Sequence, residues 1–376
     1  MKISSLQENL KQGLQIVSHT SIKSVNLPIL SNILIEAVDG NIRLVSTNLE
    51  IGVISNVRGK IEAEGRYTVD TKIINDYIAL LPNKKVELEL KDDILKIECD
   101  NYKTKLRGQS AEEYPLIPVV DRNEYYILKK EDFKKALSQT VFATAPSETR
   151  LELSGVLFIF SQNSLTLAAT DSYRLAERTV AVKVSGEKND SEEIKKVIVP
   201  AKTVQEVVRI FADGSEDSGQ ELKIYLSDNQ ILFADNNTEL VSRLIEGQFP
   251  DYQQIIPKNH KTTAIINRQE LTRAVKASSL FSKTGINDVN LDLPQDKNEV
   301  VVSSASGQTG ESVISITAGV KGVDNGVVVN HRYLLDGLNN IDSENVKLEI
   351  TDNNTPCILR PEKDSNYLYI IMPIKQ

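Results

Sequence analysis

Tyr67-Thr68-Val69-Asp70-Thr71-Lys72-Ile73-Ile74 decides how this 376-residue chain is read. A run rich in β-branched residues gives way, at Asp70, to apolar residues at helical spacing, so a strand feeds a helix. The same junction recurs at Val197-Ile198-Val199-Pro200-Ala201-Lys202-Thr203-Val204 and at Val327-Val328-Val329-Asn330-His331-Arg332-Tyr333-Leu334. Its basic residue returns every 130 positions, as Lys72, Lys202 and Arg332. Asp70, Pro200 and Asn330 stand where a cap or first-turn residue belongs. Three copies of one structural unit are therefore expected in tandem.

Working outward, each copy opens on a second helical pattern. Glu8-Asn9-Leu10-Lys11-Gln12-Gly13-Leu14, Glu131-Asp132-Phe133-Lys134-Lys135-Ala136-Leu137 and Gln269-Glu270-Leu271-Thr272-Arg273-Ala274-Val275 share apolar positions four apart with a small residue between. After the strand-to-helix junction come the alternating runs Val86 to Leu90, Leu222 to Leu226 and Val346 to Ile350. These break at Asp92-Asp93, Asp228-Asn229 and Asp352-Asn353, the pattern of half-buried antiparallel strands joined by hairpins. Glu113-Tyr114-Pro115-Leu116-Ile117-Pro118 and Gln248-Phe249-Pro250-Asp251-Tyr252 close the first two copies, which puts the domains at 1–122, 123–257 and 258–376. Two helices and many antiparallel strands per copy make the fold class α+β.

Composition fits this reading. With 40% apolar and 26% charged residues the chain can fill several cores. No apolar run approaches the roughly 20 residues of a membrane span, and no signal pattern opens the chain, so a cytoplasmic protein without membrane association is expected. Cys99 and Cys357 lie far apart in strand-like runs without metal-site spacing, and read as two buried, reduced thiols.

The net charge of −8 is unevenly spread. Six helical windows (6–17, 71–80, 129–142, 200–211, 267–281 and 330–341) hold 12 basic and 7 acidic residues, which leaves −13 for the remainder. Basic helices beside acidic sheets suit contact with phosphate along the helices alone, although surface helices are also Lys-rich for solubility. No recognition helix, zinc finger or aromatic stacking platform accompanies these residues, so the contact expected is with duplex backbone and is blind to sequence.

Chemistry-bearing patterns are sparse. His19, His260 and His331 have neither metal-ligand nor triad spacing, and Ser306-Gly307-Gln308-Thr309-Gly310 lacks the Lys-Ser/Thr of a phosphate-binding loop and reads as a flexible loop. No catalytic residue, metal or cofactor is expected. The alternatives are an enzyme with a cleft between the repeats, using Asp171 and Arg174, and a cell-surface repeat protein, which the absent signal pattern disfavours.

Leu27-Pro28-Ile29-Leu30-Ser31-Asn32, Ala169-Thr170-Asp171-Ser172-Tyr173-Arg174-Leu175-Ala176, Phe249-Pro250-Asp251-Tyr252 and Met372-Pro373-Ile374 resemble, in order and spacing, the hallmark segments of the bacterial DNA polymerase III beta subunits, the DNA sliding clamps. The resemblance implies a processivity factor: a clamp-type domain repeated three times and closed head to tail by a homodimer into a six-domain ring around DNA. The implied interface holds Leu106 on one side and Leu280 with Phe281 on the other, though read alone the last two suit a core. For DNA the positions chosen are Lys23 and Ser24 in a loop, Lys72, Arg150 and Lys202, with Lys134, Lys135, Arg273 and Lys276 on helices.

The resemblance further implies a groove for a short peptide motif carried by the polymerase III alpha subunit, other polymerases, the clamp loader and repair proteins. Its matching positions are Leu153, Thr170, Ser172, Tyr173, Arg174, Leu175, Pro250, Ile255, Ile286, Asn330, Tyr333, Pro356, Ile370, Ile371, Met372, Pro373 and Ile374. An apolar concavity with a few polar groups suits Leu and Phe side chains of an extended peptide. Many relatives carry His in place of Tyr173, a basic residue in place of Gln254 and Arg near the end where Lys375-Gln376 stand, which leaves the preferred peptide open.

Overall fold

The computed structural model describes the chain except residues 23, 147–148, 187–193, 212–219, 284, 296 and 376. Six helices carry the expected patterns: α1 (Gln7–Ser18), α2 (Thr71–Leu80), α3 (Lys130–Val141), α4 (Ala201–Ile210), α5 (Arg268–Ser279) and α6 (His331–Asn339). Each follows directly on a strand, as Gly65–Asp70, Lys195–Pro200 and Asn325–Asn330 do for α2, α4 and α6. Asp70 and Asn330 act as caps, their Oδ1 atoms accepting from the amides of Ile73 and Arg332 at 2.9 Å each. Pro200 instead ends its strand, paired with Gly155, one residue before α4. Asn267, which the apolar spacing alone did not single out, caps α5 by accepting from Gln269 and Glu270.

By packing, the chain gathers into two compact units: Met1–Glu131 with Lys183–Ser191 and Glu206–Leu244, and Asp132–Val182 with Glu192–Gln205 and Ile245–Gln376. The reason is that sheets run on past the end of a repeat. In the first unit a five-stranded antiparallel sheet orders Gly59–Ala63, Lys2–Leu6, Lys85–Lys91, Ile94–Cys99 and Tyr102–Arg107. Beside it a nine-stranded sheet crosses from the first repeat into the second where Ile51–Val57 pairs with Thr238–Arg243. In the second unit a twelve-stranded sheet crosses from the second repeat into the third where Arg174–Ala181 pairs with Tyr367–Ile371.

Local chemistry explains the elements. In α1, Leu10, Leu14 and Val17 are buried, and a Cβ on Gly13 would stand 2.8 Å from Val57, so the small residue lets the helix settle on the sheet. Ala136 and Ala274 occupy the same place in α3 and α5 and are buried. Asp92 and Asp93 both have positive φ (52° and 55°), the backbone of a two-residue hairpin between Lys91 and Ile94. Ser306 to Gly310 is not a flexible loop. Ser306 pairs with Gly310, so the segment turns a tight hairpin between Glu299–Ser306 and Gly310–Gly322, and Gly310 takes a φ of 101° that favours glycine.

Both cysteines are buried and unbridged, and burial pushes the Cys357 thiol up to about 12. Among the described residues no helix is long and apolar enough to cross a membrane, and no cluster of three or more His, Cys, Asp or Glu is placed to hold a metal ion.

Candidate functional site

All 17 expected groove positions fall in the second unit. Its centre is the turn between the strands Ser164–Thr170 and Arg174–Ala181. Thr170 Oγ1 accepts from the Ser172 amide at 3.1 Å and donates to the Arg174 carbonyl at 2.7 Å. Asp171 Oδ1 accepts from the amides of Tyr173 and Arg174 at 2.9 and 3.0 Å. These bonds hold Ser172 at a φ of 79°, where a non-glycine residue is strained, and present Tyr173 to solvent, 63% exposed.

Arg174 is the keystone. Its guanidinium donates to Asp171 at 2.9 Å, to Asp336 of α6 and to the Phe142 carbonyl at 2.9 Å. It also lies 4.8 Å from the centre of the Tyr333 ring and 5.5 Å from that of Phe142. Tyr173 stacks on Tyr333 from the exposed side, with centroids 6.4 Å apart. Burial, then the Asp171 carboxylate, raises the Tyr333 phenol above its ordinary value, so it stays a neutral group. Asp171 and Arg174 thus serve each other and the turn. Asp336, Phe142 and Tyr369, whose hydroxyl donates to the Tyr333 carbonyl at 2.9 Å, were missed because they come from separate elements with no shared motif.

The carboxy-terminal segment runs beside this turn. Ile371 pairs with Arg174, the Met372 amide donates to the Tyr173 carbonyl at 2.9 Å, and the Ile374 amide donates to Val328 at 2.8 Å. Met372, Pro373 and Ile374 are half-buried, as are Asn330, Tyr333 and Pro356, while Pro250, Ile255 and Ile286 are exposed. Leu153, Leu175, Ile370 and Ile371 have at most 1% of their surface exposed. They lie in the interior, where Leu175 and Ile370 join the core with Leu157, Tyr252 and Ile358.

The DNA positions divide by environment. Lys72, Lys202 and Arg332 are each the second residue of their helix, and all three are exposed. Lys134, Arg273 and Lys276 are exposed, whereas Lys135 is half-buried and pairs with Asp342 at 3.6 Å. Lys130, one of the 12 basic helix residues, is buried against Asp235 at 2.6 Å and contributes nothing to a surface. Ser24 Oγ accepts from the Leu27 amide, and Lys23 lies outside the described residues. Arg150 donates to Ser172 Oγ at 2.9 Å and pairs with Glu152 at 3.2 Å, so its side chain rests on the groove turn. At the expected interface Leu106 is half-buried, Phe281 is half-buried and Leu280 is 74% exposed, which excludes Leu280 from a core.

A threefold repeat of two helices on antiparallel sheet defines a clamp-type fold. Models of the DNA polymerase III beta subunit match along the chain: the N-terminal domain at 1–118, the central domain at 127–251 and the C-terminal domain at 253–375. The beta sliding clamps of Staphylococcus epidermidis and Staphylococcus aureus are each 31% identical over 359 residues, 93% of this chain and 92% of theirs. Among solved structures, the DNA polymerase III beta subunit of Thermotoga maritima (27% identity, TM-score 0.90) and the DNA polymerase sliding clamp of Bacillus subtilis (26%, 0.91) each match 100% of this chain and 99% of their own. The chain belongs to the DNA polymerase III beta subunit family.

Proposed function

We propose that this chain is a DNA sliding clamp that closes with a second copy, head to tail, into a six-domain ring around duplex DNA. Its domains divide near residues 122 and 257. It performs no chemistry, needs no cofactor and works in the cytoplasm. The groove around Tyr173, Arg174 and Met372 captures a short peptide of the polymerase III alpha subunit, and in turn of other polymerases, the clamp loader and repair proteins. Tethering follows from topology: a closed ring keeps a bound polymerase on its template without gripping the DNA.

One observation carries this reading. Lys72, Lys202 and Arg332 occupy one equivalent, exposed position in three repeats of an otherwise acidic chain. Two ammonium groups and one guanidinium on flexible stems repeat a phosphate contact without fixing a register on DNA, which is what sliding requires. Ser24, Lys134, Lys135, Arg273 and Lys276 supplement them, and Lys23 belongs to the same set. The test is the salt dependence of release from circular DNA. The variant combining Lys72→Ala, Lys202→Ala and Arg332→Ala should flatten the slope by roughly one unit for each phosphate no longer neutralised. An unchanged slope would remove these residues from the DNA surface.

A further inference from the structure

Asp70 faces Asn32 in the first unit as Pro200 faces Gly155 in the second, so their sheets correspond pair by pair. In both units a connecting segment packs on the corresponding face, but the two faces are finished differently. In the second unit Tyr252 closes it. Its ring joins Leu157, Leu368 and Ile370 in one apolar cluster, and its hydroxyl donates to Glu177. In the first unit, residues 111–120 make two clusters on that face instead of one. Tyr114 packs with Leu34 and Val45, Val120 packs with Leu232 and Val241, and Ile117 reaches both. A cavity of about 510 Å³ is left, lined by residues of both clusters. That is the size of a pocket for a small molecule.

The rim differs as well. Arg66, Glu36, Arg43 and Asn56 face one another in a row across four strands, and each of them lines the cavity. The corresponding row of the second unit is Lys196, Ile159, Thr166 and Thr179, with a single cation. Arg66 pairs with Glu36 at 3.0 Å, and Arg122, also on the rim, pairs with Glu239 at 2.8 Å. Arg43 is exposed and, among the described residues, has no ion-pair partner. Three guanidiniums against two carboxylates leave the rim at +1 on a chain of −8.

We propose that this cavity binds a small amphipathic anion, an aryl or acyl body carrying one carboxylate. Val45 lies two residues along the strand from Arg43, on the same face and about 7 Å away, so a carboxylate held by Arg43 sets the body down on the apolar row beside it. Leu34, Val45 and Ile54 face one another in that row. Arg66 and Arg122 are neutralised by their own partners, so Arg43 is the group that selects the charge. A rim charge of one matches a monoanion. A phosphate dianion would bring its second charge against Glu36 and Glu239.

Isothermal titration calorimetry of the intact protein with 4-phenylbutyrate, and with 4-phenylbutan-1-ol as its uncharged analogue, tests the site. The acid should bind at one site per chain, about tenfold more tightly than the alcohol. Arg43→Gln should remove that advantage, and Ile54→Phe, which puts a ring into the cavity, should weaken acid and alcohol alike. Tyr173→Ala should leave both affinities unchanged, because it lies in the other unit. Equal binding of acid and alcohol, or an advantage that survives Arg43→Gln, would overturn the assignment. So would an absence of binding at millimolar 4-phenylbutyrate, or binding lost with Tyr173→Ala instead, which would place the probe in the peptide groove. Retention on circular DNA should be the same for Arg43→Gln and the unaltered chain, so the site stands or falls apart from the clamp reading.

Discussion

The ring of Tyr173 lies within 20° of parallel to that of Tyr333, with 6.4 Å between centroids, so a turn between two strands is held by a helix from another repeat. Arg174 adds the electrostatic half of the same join through Asp171 and Asp336. The turn is therefore positioned by its packing against α6, and on the proposed reading a peptide bound beside it should feel changes to that packing.

Arg174→Ala should destabilise the fold by about 3 kcal/mol. Removing one partner of a largely buried ion pair leaves the Asp171 carboxylate without its charge, and the half-exposed Asp336 keeps the loss at the lower end of the usual range. Urea unfolding checks it, with Arg174→Lys expected to recover only part because an ammonium cannot serve three acceptors in one plane.

Gly337→Ala should loosen the same join from the helix side. The new Cβ would stand 2.4 Å from the Tyr369 ring, and neither the ring nor α6 can yield without moving the Tyr333 carbonyl that Tyr369 holds. A cost of about 1–3 kcal/mol is expected, together with weaker peptide binding by fluorescence anisotropy.

Ending the chain before Met372 should abolish binding of a polymerase-derived peptide and leave dimerisation intact. The truncation takes away the Met372 and Ile374 hydrogen bonds but spares the strand Tyr367–Ile371 and the expected interface residues Leu106, Leu280 and Phe281. Unchanged affinity would show that the groove has been misplaced.

His331 should make stability depend on pH. Burial, then the neighbouring Arg332 charge, lowers its folded pKa below the ordinary value, with Asp288 acting the other way. The unfolded chain then binds the extra proton first, so the contribution is complete above about pH 6.5 and fades as pH falls toward the lowered value. Urea midpoints between pH 8 and pH 5 should drop for the unaltered chain and drop less for His331→Gln.

The sequence carried the repeat, the helices and the hairpins because these depend on local spacing. It also carried the turn Thr170 to Arg174, whose shape is set by the Thr170 and Asp171 bonds within five residues and whose plan recurs at Thr47 to Ile51, where Asn48 accepts from Glu50 and Ile51. What escaped was long-range. Asp336 and Phe142 meet Arg174 across 162 and 32 positions, and nothing in the motif points to either. Buried Lys130 was indistinguishable by sequence from exposed Lys134, since only its distant partner Asp235 sets them apart. Leu175 and Ile370, expected to line a groove, are fully buried, because pairing in a ladder turns them into the core.

Retention on DNA of defined topology tests the central claim most directly. Once loaded onto a nicked circle, the protein should stay bound through a gel-filtration column and leave within the same run when a single cut linearises the circle. Equal retention on the linear form, with both ends free, would contradict a ring that holds DNA by encircling it.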